Sequence, residues 1–195
     1  MLEVDVIEDP EAAAVALDPI RRRLLAELAQ PASAAALASR VGLPRQKVNY
    51  HLRTLETRGL VRVAEERKWG GLTERLLVAT ASSYVVSPTA LGALGADPAR
   101  TADHLSAGYL IALAARTVGE VGSLWRRARE SGKRLATLSI DTEIRFRSAA
   151  ERAAFTRDLT QAVASLAARY HDEAALGGRR HRVVVLAHPI LSNGE

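Results

Sequence analysis

Between residues 33 and 63 the apolar positions keep a helical period on both sides of a turn and then change to a period of two, which predicts two helices followed by a strand. Ala36, Leu37 and Val41 recur at helical spacing behind Ser33, whose hydroxyl can accept the free N–H groups of a helix start. Gly42 suits the left-handed conformation of a tight turn, and Leu43 follows as an apolar plug beneath it. Pro44 stands where a second helix should open, and that helix is expected to run to about Arg58. Its stripe of Val48, Leu52 and Leu55 predicts one buried side, leaving Arg45, Gln46, Lys47, Asn49, Tyr50 and Arg53 on the others. After Gly59 the period falls to two over Leu60–Ala64. A basic, glycine-rich tip follows at Arg67-Lys68-Trp69-Gly70-Gly71, and then a return strand near Arg75 to Ala81.

The pattern loosens around Pro88, Gly92, Gly95 and Pro98, which reads as a linker over 89–97. From Pro98 a helix is expected to reach about Ser131, capped by Asp97 and stopped by Gly132. Three glycines inside it (Gly108, Gly119, Gly122) imply that another backbone comes close, since each costs about 1 kcal/mol against alanine. Leu105, Tyr109, Leu113, Val121, Leu124 and Trp125 add enough apolar surface to bury two faces, which suggests pairing between two copies. Leu138, Ile140, Thr142, Ile144 and Phe146 alternate with polar residues as a one-sided strand, Ser148 and Glu151 form a capping box, and Phe155 to Tyr170 lines a helix. Arg182 to Ala187 then reads as a more buried strand, completing a small β-α-β unit with parallel strands or strands shared across a dimer.

The residues from Asp18 to about Pro88 carry a family resemblance. Asp18-Pro19-Ile20-Arg21, Leu37-Ala38-Ser39-Arg40-Val41-Gly42-Leu43 and Val48-Asn49-Tyr50-His51-Leu52-Arg53-Thr54-Leu55-Glu56, leading to Gly59-Leu60-Val61, resemble the winged helix-turn-helix of ArsR-like bacterial transcription regulators. The resemblance covers roughly the first half of the chain. It implies a dimeric, repressor-type protein whose second helix enters the major groove of double-stranded DNA. The residues that fit the family's DNA-facing positions are Arg45, Gln46, Lys47, Asn49, Tyr50, His51 and Arg53, with Arg67, Lys68 and Trp69 on the wing. Arg75 is expected to join Lys47, Arg53, Arg67 and Lys68 on phosphates, while Gln46 and Asn49 suit adenine and Arg45 suits guanine. His51 can equally be a packing residue, and Trp69 can lie against sugar or pack under the wing.

The fold class expected is therefore α+β: an acidic arm over 1–17, a winged helix-turn-helix over 18–88, a linker over 89–97, and a dimerisation helix with a C-terminal α/β unit over 98–195. That last unit would bind a small effector or extend the homodimer. Charge sharpens the reading. Residues 1 to 18 hold six carboxylates (Glu3, Asp5, Glu8, Asp9, Glu11, Asp18) and no Lys or Arg, so the remainder carries +11 against +5 for the whole chain. A basic body suits a polyanion, whereas the acidic start reads as a solvated arm.

The absence of cysteine excludes a disulfide scaffold and thiolate or thiol-redox sensing. No stretch approaches the ~20 uninterrupted apolar residues of a membrane helix, so a cytoplasmic protein without membrane contact is expected. No metal is expected. His171-Asp172-Glu173 are adjacent and do not share a helix face, His181 and His188 would point to opposite sides of a strand, and Asp103, His104 and Glu120 lack a second imidazole. No cofactor or catalytic role is expected either, because Gly92-x-x-Gly95 and Gly119-x-x-Gly122 lack the strand-then-helix setting of a phosphate loop. The competing class is a winged-helix protein-interaction module that does not recognise duplex DNA.

Overall fold

In the computed structural model the described residues are 1–69 and 72–190, the side chains of Trp69 and Leu72 being outside the description. The glycine tip Gly70-Gly71 therefore lies outside the described residues. The chain forms two compact units, Met1–Leu135 and a second beginning at Ala136.

The first unit opens with strand β1 (Leu2–Ile7) and helix α1 (Pro10–Leu17), where the acidic composition suggests a solvated arm. The carboxylates are spent locally. The Asp9 side chain accepts from the Glu11 and Ala12 amides to start α1, and Asp18 accepts from the Ile20 and Arg21 amides to start α2 (Pro19–Glu27). Asp9 and Glu11 also hold Arg58 at the end of the helix after the turn. Ala12, Ala13 and Ala16 enter the core from α1, so the segment is folded by its alanines as well as by its charges.

A two-residue strand β2 (Ala32–Ser33) leads into α3 (Ala34–Val41), and the Ser33 hydroxyl accepts from the Ala36 amide at 3.3 Å. Gly42, at φ 68°, turns the chain in the left-handed region that a side chain would disfavour. Helix α4 (Arg45–Thr57) follows, one residue later than the proline rule suggests: Pro44 caps it, its carbonyl accepting from the Val48 amide. Leu24, Leu28, Leu37, Val48, Leu52 and Leu55 meet in the interior with almost no solvent exposure. At about 1.5–3 kcal/mol per buried large aliphatic chain, this cluster holds α2, α3 and α4 at fixed angles.

Strand β3 (Val61–Trp69) and strand β4 (Leu72–Ala79) form an antiparallel hairpin directly after α4, with a register shift between Val63 and Glu65. β2 pairs with the far side of β4, giving the order β2-β4-β3. The return strand thus ends at Ala79, and a separate strand β5 (Ala81–Val86) pairs in parallel with β1. The Tyr84 hydroxyl, donating to the Leu60 carbonyl at 2.8 Å, ties β5 back to the end of α4.

The expected linker is packed. Pro88–Leu94 is a 3-10 turn started by the buried Ser87, and Ala90 reaches the core. The long helix also starts later than expected. Pro98–Arg100 is a single 3-10 turn, and helix α5 (Ala107–Glu130) begins only after Ser106, whose hydroxyl accepts from the Tyr109 amide. A close approach is present at two of its glycines, but it is made by side chains of the same chain and not by a second backbone. A Cβ on Gly119 would sit 3.3 Å from Thr89, and one on Gly122 would sit 2.8 Å from the Cβ of Val6. Glu8 on the β1–α1 connection accepts from Ser123 (2.7 Å) and Arg126 (3.0 Å), completing the seat of α5. α5 therefore belongs with the N-terminal unit, and the boundary falls at 135/136 instead of 88/98.

The second unit holds helix α6 (Ala149–Tyr170), where half of the expected capping box forms: Ser148 accepts from the Glu151 amide, while Glu151 reaches one residue further back and accepts from the Arg147 amide and guanidinium. Phe146 packs on Phe155 at 5.3 Å between ring centres. The two flanking strands are not formed. Residues 136–147 and 171–190 contain no paired strand.

Candidate nucleic-acid interface

Helix α4 presents its charged face because its apolar stripe is fully committed to the core. Arg45, Gln46, Lys47, Tyr50 and Arg53 are exposed and Asn49 is half-buried, and Arg45, Gln46, Asn49, Tyr50 and Arg53 line one shallow concavity. Among the described residues, none of the side chains of Arg45, Gln46, Lys47, Asn49 and Arg53 makes a hydrogen bond or an ion pair. Their donors are directed at solvent on a rigid helix. Pro44 supplies no side-chain cap and the first turn has no acidic residue, so the open N–H groups of α4, flanked by Arg45 and Lys47, are oriented to take an anion.

This α3–turn–α4 pair is what the family comparison recognises. Residues 16–64 match the family model of a helix-turn-helix domain. No curated protein matches the chain. The helix-turn-helix domain covers α2, β2, α3, α4 and the first residues of β3, and it identifies a domain type used by DNA-binding regulators. The hairpin beyond Ala64, helix α5 and the second unit lie outside the match.

Not every expected contact residue is available. His51 sits on α4 but faces inward, 6 % exposed, with neither ring nitrogen hydrogen-bonded. Burial lowers its pKa from the ordinary value, and Arg21 and Lys47 add to the effect while Asp18 opposes it. Its place among DNA-facing positions is therefore corrected to a core position beside α2. The Tyr50 ring stands edge-on to it at 5.4 Å, leaving Tyr50 itself on the outer face.

The hairpin is less basic than its tip suggests. Arg67 is held by Glu65 at 2.9 and 3.1 Å, and Arg75 by Glu56 at 2.6 and 3.2 Å with Glu66 at 3.6 Å. These pairs raise both arginines' pKa through the hydrogen bonds to Glu65 and Glu56 respectively. Lys68 is exposed and makes no pair among the described residues. The side chain of Trp69 lies outside the described residues. The Glu65–Arg67 pair was readable from sequence, since alternate residues of a strand share a face; the Glu56–Arg75 pair needed the angle between α4 and β4.

The other candidate chemistry stays dispersed. His104 stacks on Tyr109 at 4.4 Å, His171 approaches Glu173 at 3.6 Å, and among the described residues no three His, Asp or Glu side chains gather as a metal-holding group. Among the same residues no helix is long and apolar enough to cross a membrane.

Proposed function

We propose that this chain is a sequence-specific, double-stranded DNA-binding transcriptional regulator of the ArsR-like winged helix-turn-helix kind, acting as a homodimeric repressor rather than as an enzyme. The observation that carries the reading is the outer face of α4. It shows five donor-bearing side chains without intramolecular partners on a helix whose other side is locked into the core. A helix-turn-helix used only for packing or for protein docking has no need of such a face. In the proposed complex α4 lies in the major groove, Arg45, Gln46 and Asn49 meet base edges, and Lys47, Arg53 and Lys68 grip phosphates. The hairpin acts as the wing.

Homodimerisation is proposed through the side of α5 that faces away from its own chain, where Val121 and Leu124 are exposed. Gly119 and Gly122 take no part in it, being occupied by β1 and the 3-10 turn. A small effector would act through the second unit.

Binding to operator and to random duplex across a salt series tests the docking. Asn49→Ala should reduce preference for the operator, by about 1–3 kcal/mol for a lost bidentate base contact, with the salt slope unchanged. Lys68→Ala should weaken both duplexes alike and make log K against log salt shallower by about one unit. The opposite assignment of effects would exclude this placement of α4.

A further inference from the structure

Among the described residues, every side chain of the hydrophobic core lies between Ile7 and Ala112, and none belongs to the second unit. There the apolar positions are open: Leu138 is 85 % exposed, Ile140 82 % and Val183 76 %, with Ile144, Val185 and Leu186 also exposed. Helix α6 runs 22 residues without burying one of them. Isolated helices draw most of their stability from packing an apolar face, so this helix lacks its support. The flanking segments add a second deficit. Among the described residues, 136–146 and 183–190 make no backbone–backbone hydrogen bond, although both are rich in the branched residues that favour strands.

The two open segments fit each other. Aligned in parallel, the register that sets Asp141 beside Arg180 also sets Ile144 beside Val183 and Phe146 beside Val185. The pairs Asp141–Arg180 and Glu143–Arg182 then share one face, and Ile144–Val183 and Phe146–Val185 share the other. An antiparallel alignment that keeps Ile144 beside Val183 would instead set Arg147 beside Arg180 and Arg145 beside Arg182. Each chain thus offers two unpaired edges of matching chemistry, and its own two edges are not paired with each other. A foreign partner bringing one strand would satisfy one edge. A second copy satisfies both at once, because a two-fold axis repeats the contact.

We propose that the Asp141–Phe146 segment of one copy pairs in parallel with the Arg180–Val185 segment of a second copy, so that the C-terminal unit becomes a β-α-β layer only in the dimer, with α6 packed on the exchanged sheet. The proposal rests on the homodimeric reading above and deepens it: the interface includes strand exchange as well as α5.

The absence of cysteine gives a clean test on the full chain. Ile144→Cys and Val183→Cys are made as separate variants, mixed, oxidised and run without reductant; neighbouring strands bring Cα atoms within the range of about 4.4–6.8 Å that a disulfide requires. The mixture should give a covalent dimer, neither variant alone should, and the double variant should also run as a cross-linked dimer. A disulfide-closed monomer from the double variant would overturn the proposal by showing in-chain pairing. Sedimentation of the reduced variants separates the remaining failures. A dimer that never cross-links removes strand exchange and leaves the dimeric reading standing, whereas a monomer removes both. As a control independent of packing at 144 and 183, Asp141→Arg and Arg180→Asp should each lower cross-linking several-fold, and their combination should restore it. Failure of the combination to restore it would overturn the parallel register.

Discussion

His51 is a titratable group placed where charge is costly. Burial is the largest cause of its lowered pKa, and its folded-state proton affinity is weaker than that of an unfolded histidine at 6.5. The unfolded chain therefore binds more protons in the window below 6.5. Stability is full above that value and falls as pH drops through it toward the folded pKa, beyond which this contribution stays lost. Melting curves should accordingly show a lower Tm just below pH 6.5 than above it, and His51→Leu should flatten that step; an unchanged step would assign it to another group. Arg75 makes the converse point. Its guanidinium is already bidentate to Glu56, so Arg75→Ala should change the salt slope of DNA binding clearly less than Lys68→Ala does. Equal slopes for the two variants would show that Arg75 leaves Glu56 on binding.

At the scale of elements, the seating of α5 depends on two missing side chains. Gly122→Ala places a Cβ against the branch point of Val6, which has no flexible end to move aside, so overpacking of about 1–3 kcal/mol is expected. Gly108 meets only the Ser106 hydroxyl at ordinary contact distance, and Gly108→Ala should raise stability by up to about 1 kcal/mol. Thermal denaturation of the pair checks the contrast. A stabilised Gly122→Ala would mean that α5 does not rest on β1. The same seat explains the acidic start of the chain: Glu8 holds Ser123 and Arg126, and Asp9 and Glu11 hold Arg58. Burial pushes the Glu8 pKa up, and the hydrogen bonds from Ser123 and Arg126 outweigh it, leaving the carboxyl below its usual value. Those charges connect α1 and β1 to the end of α4 and to α5, so the segment is a folded part of the first unit, although Asp9 and Glu11 stay exposed.

For the whole molecule, the exposed side of α5 and the open second unit predict association. Analytical ultracentrifugation at micromolar concentration should give a dimer. The operator should then carry two half-sites whose centres lie about 10 base pairs, one helical turn, or a multiple of it apart. Leu124→Glu on the exposed face should shift the protein toward monomer and lower operator affinity while leaving the fold of the helix-turn-helix intact, which circular dichroism can verify. A strict monomer binding the operator at full affinity would exclude the dimeric reading.

What the sequence determined by itself is local. The helix–turn–helix was legible because its signals act over a few residues: Ser33 as cap, Gly42 at positive φ, and Val48, Leu52 and Leu55 on one stripe. The face left over by that stripe named Arg45, Gln46, Lys47, Asn49, Tyr50 and Arg53, all of which avoid the core. Tertiary structure decided whatever depended on partners distant in sequence. It turned His51 inward beside α2, paired Arg75 with Glu56 across 19 residues, folded residues 2–7 onto 81–86, and filled the close approaches of Gly119 and Gly122 from the same chain. Among the described residues it also left the strand pattern of 138–146 and 183–187 without backbone hydrogen bonds. Alternation specifies which face of a strand is dry, but a strand exists only when another edge supplies its hydrogen bonds.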